Sequence, residues 1–221
     1  MIIKKEIFRF LFIIFVAVLA MFFTFRFTSN GIFEGILIYF MFFFLFPLLF
    51  ILFVLKEKLT NFGFKMNISK TSLIWFSGIL FGAVFFFSLF LWFFNKETEF
   101  MPPSVLTASF WPFFLYFFIL LGSISLFYEI FFRGFIELGT KKILGYWSIL
   151  FQWLLFISFL YFTKDLFFEN GFFNWLILLD ITSALSSGLL IYKTGSLFLS
   201  FLFSWFFGIL ISLISIIIYT L

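Results

Sequence analysis

Apolar residues run through this chain in long blocks instead of alternating with polar ones, and the polar residues gather in short clusters between the blocks. A helix crosses the hydrocarbon layer with about 20 predominantly apolar residues. On that rule seven blocks qualify: Ile7–Phe27, Ile32–Leu55, Leu73–Phe94, Leu106–Ile136, Tyr146–Phe162, Phe172–Tyr192 and Leu197–Leu221. The pattern predicts an all-α fold, a polytopic transmembrane helical bundle with seven spans, or eight if the boundaries are drawn differently. The fourth block is long enough to tilt, to bend at Pro112 or to project beyond the bilayer. With no internal repeat and no soluble segment of domain size, residues 1–221 read as a single integral membrane domain.

The basic residues alternate from loop to loop. Lys4, Lys5, Arg9, Lys56, Lys58, Lys65, Lys70, Lys141, Lys142 and Lys193 fall on one side, against Arg26, Lys96 and Lys164 on the other. The positive-inside rule then puts the N-terminus in the cytoplasm and the C-terminus outside, as in a bacterial plasma membrane. Lys4 and Lys5 ahead of an apolar run, with Val18-Leu19-Ala20 further on, resemble a cleavable signal. The run continues to Phe27, which favours a retained anchor. The longest polar connection, 56–72, carries Leu59, Phe62, Phe64, Met66 and Ile68, so an amphipathic segment lying on the inner membrane surface is expected.

Composition narrows the chemistry. A hydrophobic content of 65% and a mean hydropathy of +1.26 exceed what a soluble core can hide. The net charge of +4 is accounted for by anchoring to the lipid bilayer and needs no nucleic acid. The chain has no cysteine and no histidine. That removes thiolate nucleophiles, the commonest metal ligands and the commonest general base, so neither metal nor cofactor is expected. The 49 phenylalanines are spread through every apolar run and read as codon bias and lipid-facing packing. Asn67-Ile68-Ser69 matches the glycosylation pattern, but on a cytoplasmic loop it carries nothing. Gly78 and Gly82 on the third block, and Ser183, Ala184, Ser186, Ser187 and Gly188 on the sixth, predict close helix packing.

Candidate chemistry centres on Tyr128-Glu129-Ile130-Phe131-Phe132-Arg133-Gly134-Phe135, where an acid and a base stand one helical turn apart within membrane-like sequence. Glu four positions ahead of Arg is the favourable order for a helical ion pair, and either charge alone would be costly in hydrocarbon. Two readings are open: mutual neutralisation, or a buried carboxylate acting as a general base on water. Asp180 on the sixth block is the other intramembrane charge. It could pair with Arg133, line a polar cavity, or cap the hydroxyls of Thr182 and Ser183.

Three segments in order and spacing, within residues 127–208, carry a resemblance. Phe127–Phe135 resembles the E-E-x-x-x-R-G motif of the CPBP family, the intramembrane glutamic endopeptidases that include CAAX prenyl proteases and bacteriocin-processing or immunity proteins. Trp147–Leu160 resembles the family's apolar F-x-x-x-H helix, with Phe156 in the phenylalanine place. Ile191-Tyr192-Lys193-Thr194-Gly195-Ser196-Leu197-Phe198 resembles the Y-x-T-G-S-L-W entry to a third motif that ends H-x-x-x-N. In such enzymes, the resemblance implies, the first glutamate and a histidine activate water while a second histidine and the asparagine stabilise the oxyanion.

The departures from the family pattern fall on those groups. Tyr128 stands for the first glutamate, Leu160 and Ser204 for the histidines and Gly208 for the asparagine, leaving Glu129 and Arg133. Leu160 and Gly208 offer no side-chain donor, and loss of one oxyanion donor costs about 10²- to 10³-fold in rate. At about 1.5 Å per residue, Glu129 and Ser204 both fall about 12 Å from the inner surface, with Leu160 nearer ~20 Å. The expected function is that of a degenerate protease relative that binds a hydrophobic or prenylated peptide, or a membrane partner, without cutting it. The alternatives are a working endopeptidase of such peptides with Glu129 as base, and a transporter subunit or membrane scaffold with Glu129, Arg133 and Asp180 along a polar path.

Overall fold

The computed structural model of the chain describes residues 2–27, 32–65, 68–94, 121–163 and 175–220. Pro112, Asn67, Lys96 and Lys164 lie outside the described residues. Every regular element among the described residues is helical. Helix α1 is Ile2–Arg26. Helix α2 occupies 32–55 and carries π-helical stretches at Phe40–Leu45 and Phe50–Leu55 on either side of Pro47. Proline lacks the N–H that the regular ladder needs, and wider turns absorb such a defect. Helix α3 is Lys70–Phe94; α4 occupies 121–144; α5 is Trp147–Thr163; α6 is Trp175–Thr194; and α7 is Leu197–Thr220.

Among the described residues, three helices are long and apolar enough to cross a membrane: Glu6–Thr24 within α1, Glu34–Leu55 within α2 and Lys70–Leu89 within α3. Trp147–Tyr161 and Leu197–Ile211 are shorter apolar helices. Large apolar side chains cover the outside of the bundle, with Phe53 70% exposed, Ile74 72% and Phe81 74%. Such a surface suits an integral membrane protein, because lipid solvates it and water does not.

The centre of the bundle is the middle of α4. Residues Glu129–Leu138 form a π-helical stretch, and all ten are buried against α1, α2, α5, α6 and α7. Its aromatic side chains lock α2 and α5 onto it: Phe43 stacks on Phe131 at 4.3 Å between ring centroids, and Phe132 meets Phe156 edge-on at 5.0 Å. Pairs of this kind contribute about 0.5–1.5 kcal/mol each beyond burial. Phenylalanine therefore serves the interior here as well as the lipid face.

Two expectations about packing are corrected. The 56–72 connection does not simply lie on a surface. Its short 3₁₀ turn, Leu59–Phe62, inserts Phe62 fully into the bundle, beside Phe135. Gly63, at a φ of 86°, lets the chain turn so that its carbonyl accepts the Leu197 N–H at 2.9 Å. Arg9, buried on α1, holds the same segment through Glu57 at 3.0 Å. Gly78 and Gly82 are the second correction. Both are exposed, and a Cβ added at either would meet nothing within 4 Å. Helix α3 packs on α6 and α7 through its other face, where Ala83 and Phe87 are buried.

Candidate functional site

Three charged residues lie four apart on the buried stretch of α4, namely Glu129, Arg133 and Glu137, and their side chains turn towards α6 and α7. Arg133 Nε lies 3.5 Å from Glu129 Oε1 and donates to Ser187 Oγ on α6 at 3.1 Å. Its Nη1 donates to the Tyr128 carbonyl at 3.4 Å, and its guanidinium carbon sits 5.1 Å from the centre of the Phe156 ring. A desolvated cation over an aromatic face gains about 2 kcal/mol.

The Glu129 carboxylate is met from α7. Ser196, Ser200 and Ser204 recur every four residues and so share a face of that helix. Ser204 Oγ donates to Glu129 Oε1 at 2.5 Å, and Ser200 Oγ donates to Oε2 while lying 3.2 Å from the Ser187 carbonyl oxygen. Ser196 works one turn earlier, donating to the Lys65 carbonyl at 3.1 Å. Both oxygens of Glu129 thus accept hydroxyl hydrogens, and Oε1 faces the guanidinium as well. An ionised carboxylate is an acceptor only, and that set meets three of its roughly four lone-pair sites.

The other expected positions separate from this cluster. Tyr128 points away from Glu129 into the aromatic core, with its ring against Tyr39 at 5.6 Å and Phe156 at 5.5 Å; its hydroxyl bonds with that of Tyr39. Leu160 is half-buried on α5 and packs on the same core. Gly208 is buried on α7, one turn beyond Ser204. Asp180, on α6, lies within electrostatic range of Arg133 and of the Tyr39 and Tyr128 hydroxyls, without forming an ion pair with the guanidinium.

A cavity of about 310 Å³ opens beside Glu129, lined by Gly63, Phe64, Lys65, Leu126, Glu129, Ile130, Leu197, Phe198 and Phe201. Its walls therefore come from α4, α7 and the inserted connection. Helix α5, which carries Leu160, contributes no lining residue.

Sequence reasoning missed four polar residues of this interior. Ser187 and Ser200 resemble packing residues in an apolar helix, yet each bonds to a charged side chain. Glu137 and Gln152 are fully buried and crowd the same α6 glycine: a Cβ at Gly188 would lie 2.7 Å from Gln152 Nε2 and 2.9 Å from Glu137 Oε2. Gln152 Nε2 donates to the Ala184 carbonyl at 3.2 Å. Among the described residues, neither oxygen of Glu137 accepts a hydrogen bond. No group of three or more metal-ligating side chains occurs among them. Comparison of the chain with family models, with curated proteins and with solved structures gives no match.

Proposed function

We propose that the chain is a non-hydrolytic relative of the CPBP intramembrane endopeptidases, a seven-span protein with its N-terminus in the cytoplasm. It binds a hydrophobic peptide or membrane partner through the cavity beside Glu129. The observation that carries the proposal is the engagement of Glu129. Water activation needs a carboxylate with a free lone pair towards substrate and a partner base or acid. Here Ser204 and Arg133 face Oε1 and Ser200 faces Oε2, which takes three of about four lone-pair sites. Among the described residues no partner acid or base stands beside the fourth, because the Tyr128 side chain is turned into the aromatic core. Neither serine hydroxyl replaces an imidazole, because it has no proton affinity near neutral pH.

The same arrangement supports a structural role for the pair. Glu129, Arg133, Ser187, Ser200 and Ser204 tie α4, α6 and α7 together in an apolar interior, where polar contacts between helices add to van der Waals packing. The three sequence segments that resemble the family supply α4, α5 and the α6–α7 turn. The cavity keeps an apolar lining next to the pair, which suits binding without turnover. Assay of the purified protein for hydrolysis of hydrophobic and prenylated peptides tests the proposal.

A further inference from the structure

Three lysines converge where α6 ends and α7 begins. Gly195, at a φ of 64°, forms the turn, and a Cβ there would lie 2.9 Å from Lys65 Nζ, so the Lys65 ammonium sits directly over the turn. Lys141 Nζ donates to the Tyr192 carbonyl at 2.8 Å and lies 3.9 Å from the centre of the Tyr192 ring. Lys193 Nζ lies 5.3 Å from the ring centres of Trp75 and of Tyr146. Lys65 and Lys193 are exposed and form no ion pair among the described residues. Burial holds the Lys141 ammonium below the usual lysine range; Glu137 opposes this, and Lys65 and Lys193 push it further down. The Tyr146 and Tyr192 rings lie 4.6 Å apart, so Lys193 over the first and Lys141 over the second are neighbours, with Lys65 at the turn that follows.

Lys65 also lines the cavity beside Glu129, so the cationic cluster and the apolar hollow are continuous. We propose that this is a phospholipid site, with the anionic phosphate against Lys65, Lys141 and Lys193 and one acyl chain between Leu126, Ile130, Leu197 and Phe201. Charge complementarity selects the occupant. Glu137, the acid nearest Lys141, is fully buried, so the exposed charge at this edge of the apolar bundle is that of Lys65 and Lys193, and basic pockets between membrane helices take lipid head groups. Aromatic side chains at Trp75, Tyr146 and Tyr192 suit the same interfacial layer. A volume of about 310 Å³ is at the low end of ligand sites, which run from about 300 Å³, and has room for one acyl chain. The inference rests on the reading that the cavity takes an apolar ligand, and it is independent of the family resemblance.

The test uses the full chain in neutral detergent, with lipid retention read by native mass spectrometry. The probes are dioleoyl phosphatidylglycerol, dioleoyl phosphatidylcholine and an apolar peptide with a free C-terminal carboxylate. The variants are Lys65→Gln, Lys193→Gln, the double variant, and Leu126→Trp to fill the cavity. Phosphatidylglycerol is expected to be retained over phosphatidylcholine, with affinity falling about fivefold per lysine removed and falling again in Leu126→Trp. Equal retention of the two lipids overturns the proposal, as does a preference undiminished in the double variant or in Leu126→Trp. Retention of the peptide in place of phosphatidylglycerol, blocked by Leu126→Trp, overturns the lipid assignment and leaves the binding reading standing. Retention of none of the three overturns both.

Discussion

Ser204 and Glu129, 75 positions apart in the chain, meet with the serine hydroxyl 2.5 Å from Oε1, while Ser200 from the same helix face engages Oε2. Hydrogen bonds to a charged group contribute about 1.5–3 kcal/mol each. Ser200→Ala and Ser204→Ala are each expected to lower stability by about that amount. Because the two serines share one carboxylate, the double variant should depart from additivity. Thermal unfolding in one detergent, with all four proteins compared, checks both statements. Wild-type stability in both single variants would show that the contacts contribute nothing.

The ion pair predicts an asymmetry. Glu129→Ala leaves the Arg133 guanidinium without its carboxylate in a buried site, at a cost of about 3–5 kcal/mol. Replacing Glu129 and Arg133 together by apolar residues of similar size removes both charges, and the loss should be smaller than for Glu129→Ala. Folded yield and unfolding midpoint of the two variants measure this. A double variant less stable than Glu129→Ala would contradict it.

Glycine positions separate the inner and outer faces of the helices. At Gly188 a methyl group would meet the ends of the Gln152 and Glu137 side chains at under 3 Å; both are fully buried, so room comes only by moving Gln152 off the Ala184 carbonyl, at about 1–3 kcal/mol. Gly78 and Gly82 have open space, and alanine gains about 0.5–1 kcal/mol over glycine within a helix. Gly188→Ala should therefore destabilise, whereas Gly78→Ala and Gly82→Ala should leave stability unchanged or raise it. The reverse order would mean that α3 packs through its glycine face.

Topology is tested by reporter fusions. Fusions after Lys70 and Lys142 are expected to report the cytoplasm, and fusions after Lys96 and Lys164 the opposite side. Cytoplasmic signals from both Lys96 and Lys164 would overturn the orientation.

Helix positions were largely legible from hydropathy, because a run of apolar residues marks a membrane helix whatever its neighbours are. The block Ile32–Leu55 coincides with α2, and α3 and α5 begin and end within a few residues of their blocks. The spacing of Glu129 and Arg133 indicated a pair, and depth along the helices put Ser204 in the layer of Glu129. Facing directions were not legible. Helix α3 is apolar all round, so no polar stripe distinguishes the side of Ala83 from the side of Gly78. Ser187 and Ser200 gave no signal because a small polar residue suits helix packing as well as a bond to a charge. The insertion of Phe62, and the turning of Tyr128 into the aromatic core, depend on tertiary contacts that no local pattern encodes.

The most direct measurement is peptide-bond hydrolysis by the purified protein in nanodiscs, with prenylated CAAX peptides and unprenylated hydrophobic peptides as substrates. Wild type, Glu129→Gln and Glu129→Ala are compared after each is shown to be folded. With Glu129 held by Ser200, Ser204 and Arg133, and with no histidine in the chain, the prediction is no turnover above background in any of the three. Turnover by wild type that disappears in folded Glu129→Gln would contradict the account and make Glu129 the catalytic base.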